Sequence, residues 1–119
     1  MNDNIFWLLE LSVKAGEMEN VKSLMNEMVA ATLADEPGAL NYEWFVNEAD
    51  NTVHIYEHYA DSDAVMVHLG NFGAKFGGRF MAAMMPTRLT VYGKPSEEAT
   101  EALAGLGAVF HPPTAGFAR

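Results

Sequence analysis

With 119 residues, half of them hydrophobic, the chain has the length of one domain and enough apolar character to bury a single core. Sixteen acidic residues against seven basic ones leave a formal charge of −9, and the basic residues are scattered, so nucleic acid and anionic membrane surfaces are poor partners. The lack of cysteine excludes disulfides, thiolate chemistry and Cys-ligated metals; no apolar run is long enough to span a membrane, and Met1-Asn2-Asp3-Asn4 carries no basic signal region, which makes a soluble cytoplasmic protein the expectation.

From Ile5 to Val13 apolar residues alternate with a mixed face, which predicts a first strand. Gly16 breaks it. Met18, Val21, Leu24, Met25, Met28 and Val29 then recur at helical spacing, and Pro37-Gly38 should end this helix by Glu36. Leu40, Tyr42, Trp44 and Val46 alternate again, Glu48-Ala49-Asp50-Asn51 supplies turn chemistry, and extended structure resumes from Thr52 to Tyr59, so the pair reads as a hairpin. Asp61-Ser62-Asp63 offers N-caps for a short helix through His68 that Gly70 should stop. A second, irregular helix is expected from Phe72 to Met84, ended by Pro86, with a last strand from Leu89 to Tyr92. The resulting order, β-α-β-β-α-β, is the ferredoxin-like α+β arrangement, an antiparallel sheet with helices on one face. Beyond Gly93, Ser96 caps a helix to Leu103, and Val109 to Phe117 forms an extended arm whose Phe110 and Phe117 are expected to be buried.

The uncovered face of such a sheet would carry Phe6, Leu8 and hairpin aromatics, and a contiguous apolar patch of that kind predicts a two-fold homodimer closing sheet to sheet. Chemistry concentrates in Tyr56-Glu57-His58-Tyr59-Ala60-Asp61, followed by Ala64 and His68. Glu57 and Tyr59 share a strand face, and His68 and Phe72 could project over it from the following helix. His54 and His58, four residues apart on one strand, have no third partner in view, so no metal site is expected. Met66 and Met84, with Met81 and Met85, read either as a pliable wall for a flat substrate or as core filling.

Glu36-Pro37-Gly38-Ala39-Leu40-Asn41-Tyr42, Tyr56 to Asp61, Ala64, His68-Leu69 and Phe72, in this order, resemble the antibiotic biosynthesis monooxygenase superfamily. The resemblance covers Phe6 to Gly93, dividing the chain into a domain at 1–93 and a C-terminal helix and arm at 94–119 that packs on the dimer. It implies a dimeric α+β barrel and, among the family's activities, oxidation of a quinol-like or phenolic substrate by O2 without metal, flavin or other cofactor. By position it places Glu57, Tyr59, His68 and Phe72 around the cavity. His68 is then read as the base, because imidazole titrates near neutrality, with Glu57 orienting it or binding a hydroxyl; Glu57 among aromatics is the alternative base. The family's haem-degrading branch is disfavoured, since Ile5 to Val13 contains no Asn and Tyr59 stands where a Trp is expected. An isomerase using the same Glu and His, and a non-catalytic ligand-binding barrel, remain as alternatives.

Overall fold

The computed structural model describes residues 2–119. Alternation builds β1 (Ile5–Val13), where Ile5, Trp7, Leu11 and Val13 are buried on one face. Helical spacing builds α1 (Met18–Asp35), which lays Val21, Leu24, Met28 and Thr32 on that face. The residue before a proline is pushed out of helical geometry, and Glu36 accordingly ends α1 at φ −127°, ψ 79°. β2 (Ala39–Asn47) and β3 (Thr52–Tyr59) form the hairpin.

α2 (Ser62–Lys75) is capped by Asp61, whose side chain accepts from the Ala64 N–H at 2.9 Å. It does not stop at Gly70 but runs through Gly70 and Gly73, so the two-helix boundary falls later than the glycines suggest. Glycine ends a helix only when it takes up the left-handed conformation, and neither residue does. Open space surrounds the position of a Cβ at Gly70, so Gly70→Ala should stabilise the fold by about 0.5–1 kcal/mol. A thermal or urea melt checks this, and a less stable variant would contradict it.

The helical stretch resumes as α3 (Gly77–Ala83), and β4 (Met84–Tyr92) begins well before the expected Leu89. Pro86 is within the strand, not at the end of a helix. It pairs with Leu11 where the β1–β4 register shifts, a bulge that tolerates a residue with no N–H to donate. α4 (Glu97–Gly105), capped by Ser96, buries Ala99 and Leu103 against the sheet. β5 (Val109–His111) then pairs in parallel with β4 of the same chain.

The five strands lie in the order β2-β3-β1-β4-β5, with every pairing antiparallel except the last. The sheet is open: it does not close into a barrel within one chain. All four helices cover one face, over two apolar clusters, one centred on Leu24, Met28, Ile55 and Phe80, the other on Trp7, Tyr59, Val65 and Leu103. On the other face Phe6 stacks against Tyr92 at 5.3 Å and meets His58 edge-on at 5.6 Å. Phe110 is half-buried against the second cluster, whereas Phe117 is 81% exposed in the single chain. Pairing with β4 ends at His111, and Pro112-Pro113 supplies no N–H with which to continue it. Among the described residues no helix is long and apolar enough to cross a membrane.

Candidate active site

The period of two in β3 carries Val53, Ile55, Glu57 and Tyr59 to the helix-covered face, so one carboxylate enters an otherwise apolar row. Glu57 is only 4% exposed and lies between Trp7 on β1 and Tyr42 on β2. Tyr59, two residues on, donates its hydroxyl to Glu57 Oε1 at 2.7 Å. Above them, α2 turns Val65 and His68 inward on one face. His68 Nε2 is 3.1 Å from the same Glu57 Oε1.

The other ring nitrogen has a partner that sequence reasoning did not assign to the site. Glu36, at the end of α1, accepts from His68 Nδ1 at 2.8 Å, and its second oxygen accepts from Asn71 Nδ2 at 3.3 Å. One feature of the sequence could have marked Glu36 itself, though not its partner. A carboxylate at a helix C-terminus opposes the helix dipole and needs a compensating cation. The following Pro37-Gly38 has a physical reason as well: a Cβ on Gly38 would come within 2.6 Å of Ala64 Cβ, so glycine lets the end of α1 lie close against α2. The Gly38 carbonyl accepts from the Ala60 N–H at 2.9 Å, fixing that approach.

Two carboxylates and one imidazole are thus buried together, with His68 5% and Glu36 7% exposed. Burial by itself would lower the affinity of His68 for its proton. Hydrogen bonding and charge from Glu36 and Glu57 outweigh it, and the pKa of His68 is pushed up to about 9. Near neutral pH His68 is therefore held as an imidazolium that donates from Nδ1 to Glu36 and lies with Nε2 3.1 Å from Glu57 Oε1. The rings of Tyr42 and Tyr59, with centroids 5.4 and 5.1 Å from that of His68, flank this cation. Burial, and then the charge of Glu57, push both phenols above their ordinary range, so each remains a neutral hydroxyl.

A cavity of about 60 Å³ opens beside this array at the seam between the two apolar clusters. Its walls are Trp7, Leu9, Ile55, Phe72, Phe80 and Leu89, with Leu103 and Leu106 contributed by α4 and its end; Glu57, His68 and Tyr42 supply the polar groups. Tyr59 stands behind Glu57 and reaches the cavity only through it. Met84 lies fully buried in the first cluster and Met66 packs against the second, both outside the cavity lining. His54 and His58 point to the opposite sheet face, His54 towards Glu10 and His58 towards Asn41. Glu36 and Glu57 engage opposite nitrogens of one ring and do not converge on a point; among the described residues no three His, Asp or Glu side chains are grouped to hold a metal ion. Chemically, the array offers a carboxylate that can take a proton beside a fixed cation that can hold the resulting anion.

The fold is shared with solved structures. The chain superposes on MupZ from Pseudomonas fluorescens with a TM-score of 0.83 at 21% identity, covering 99% of this chain and 96% of that one. It is also similar to SnoaB, a cofactor-independent oxygenase from Streptomyces nogalater, with a TM-score of 0.64 at 18% identity over 79% of this chain and 95% of that one. Rv0793 from Mycobacterium tuberculosis gives 0.58 at 17% identity over 79% and 97%. Among curated proteins none matches the sequence. The family model for antibiotic biosynthesis monooxygenases matches residues 5–75, the stretch that carries β1 through α2 with Glu36, Glu57 and His68, and the chain belongs to that family.

Proposed function

We propose that the protein is a cofactor-independent monooxygenase that oxidises a quinol-like or phenolic substrate with O2, acting as a homodimer. The observation that carries the reading is a mostly apolar cavity whose charged groups, among the described residues, are a carboxylate and an imidazolium 3.1 Å apart. Among the described residues no side chain donates to Glu57 Oε2, because Tyr59 and His68 both meet Oε1. Oε2 is the acceptor for the substrate hydroxyl proton, and the His68 cation holds the phenolate that results. The electron-rich anion gives one electron to O2, and the two radicals join as a carbon-bound peroxide. The peroxide takes back the proton held by Glu57. The hydrogen on the same carbon is lost as a proton to the freed carboxylate, and the C–H electron pair forms the carbonyl as the O–O bond breaks. The departing hydroxide takes that proton and leaves as water. Substrate supplies the electrons, so the chemistry asks of the protein only binding, deprotonation and a dry pocket.

Oxygen-electrode assays with a panel of hydroquinones and polycyclic phenols, with ¹⁸O₂ to follow one labelled atom into product, test this. The acid–base pair also favours a second reading, an isomerase that shuttles a proton without O2. Substrate-dependent exchange of a carbon-bound hydrogen with solvent, in the absence of oxygen uptake, would select it, whereas binding with neither reaction would mark a non-catalytic barrel.

The dimer rests on the sheet face that no helix covers, where Phe45 and Met85 are each 56% exposed and His58 Nε2 is buried without a partner among the described residues. Two such faces packed together would complete the barrel, with the arm after His111 lying against the partner. Light scattering at micromolar concentration should give twice the chain mass, and Phe45→Glu should shift it towards the single chain. A monomeric parent protein would end this part of the proposal.

A further inference from the structure

Glu57 and Glu36 bind the same imidazolium but are placed differently. Glu57 lines the cavity, and both of its contacts fall on Oε1. Glu36 is absent from the cavity lining, and both of its oxygens are engaged, Oε1 with His68 and Oε2 with Asn71. It borders instead a separate niche of about 10 Å³ between α1 and α2, rimmed by Asp35 and Lys75, with room for about one water molecule and none for a substrate. One carboxylate is thus open to the reaction and the other closed off from it.

We infer that Glu36 is a positioning residue that holds His68 as a cation throughout the reaction and so leaves Glu57 able to accept the substrate proton. The inference rests on the reading of Glu57 as base. Its logic is charge balance in a buried site. If His68 had Glu57 as its sole counter-ion, each proton taken by Glu57 would strand an uncompensated buried imidazolium, and the carboxylate would resist protonation. With Glu36 on the other nitrogen, the neutral Glu36–His68 pair survives while Glu57 goes from carboxylate to carboxylic acid, and the cation stays in place for the phenolate. The balance closes: the substrate loses one proton, Glu57 Oε2 gains it, and His68 neither gains nor loses one. The groups facing His68 are Glu36 from the end of α1, Glu57 and Tyr59 from β3, and Tyr42 from β2. The two tyrosines stay neutral, so the two carboxylates are the charges that hold its proton against the burial that favours the neutral ring. Asp35 and Lys75, 3.5 Å apart at the niche rim, pair with each other.

The test reads His68 directly, by ¹⁵N NMR of the imidazole as pH is raised, alongside steady-state kinetics. In Glu36→Gln the doubly protonated signature should disappear at least about one pH unit earlier than in the parent protein. The same variant should lose turnover about tenfold or more with KM little changed, and the acid limb of its pH–rate profile should move to lower pH. Glu36→Asp, which keeps the charge, should recover part of each effect. In Glu57→Gln the Glu36–His68 pair remains, so His68 should stay doubly protonated through neutrality. An unaltered His68 titration in Glu36→Gln would overturn the inference, as would loss of the cation in Glu57→Gln. Should Glu36→Gln fail to fold, the Glu57→Gln titration decides alone. Because the NMR readout needs no substrate, a failure of the oxygenase reading would show separately, as absent oxygen uptake with the titrations unchanged.

Discussion

Replacing Glu57 by Gln is expected to lower turnover of an oxidised phenol by about a hundredfold or more, since general-base assistance is worth roughly a hundredfold to ten-thousandfold. The amide keeps the size of the side chain and can still meet Tyr59 and His68, so the loss reflects the missing proton acceptor and not an emptied site. His68→Ala, which removes the cation beside the phenolate, should cost at least about tenfold. His54→Ala is the control: it lies on the far side of the sheet, 3.7 Å from Glu10, and should leave turnover unchanged. Oxygen consumption under saturating substrate measures all three. If Glu57→Gln and His68→Ala both ran at the parent rate, the site would have to lie elsewhere.

Stability should fall as pH rises from about 6.5 to 9. His68 binds its proton more tightly in the fold, where its pKa is about 9, than in the unfolded chain, where it is near 6.5. A group of this kind contributes fully below the lower value and loses its contribution as pH climbs through the higher one. At about 1.4 kcal/mol per pH unit the difference amounts to about 3 kcal/mol, a large fraction of a small domain's total. Urea melts across that range should show the decline in the parent protein, and His68→Gln should flatten it. A parent profile that is level from pH 6.5 to 9 would mean that the buried carboxylates do not hold the imidazolium as described.

The strands β1 to β3 and helix α1 could be read from the chain because half-buried strands and amphipathic helices repeat at different periods, and here both periods are clean. The continuation of α2 could not, because Gly70 and Gly73 are ambiguous until the packing of Val65 and His68 holds the helix on the sheet. Pro86 misled for a related reason: it looks like a terminator unless the bulge opposite Leu11 is known. Within the site, Glu57, Tyr59, His68 and Phe72 lie close together in sequence, where strand and helix periods bring them to one face. Glu36 lies 32 residues before His68, and nothing local connects them. Its meeting with His68 depends on Gly38 lying against Ala64, a contact between distant segments that no periodicity encodes.

The C-terminal helix gives the pocket a wall that the family's shared segment does not contain. Residues 5–75 carry the acid–base array, yet Leu103 and Leu106 come from beyond them and close one side of the cavity. On the proposed function, the proton-handling groups lie within residues 5–75, while the wall that shapes the guest is shared between that segment and the C-terminal helix. A tail that varied in length or in the bulk of these two leucines would change the shape of the cavity and leave Glu36, Glu57 and His68 in place, which makes this roof the natural handle for testing which molecules the pocket admits.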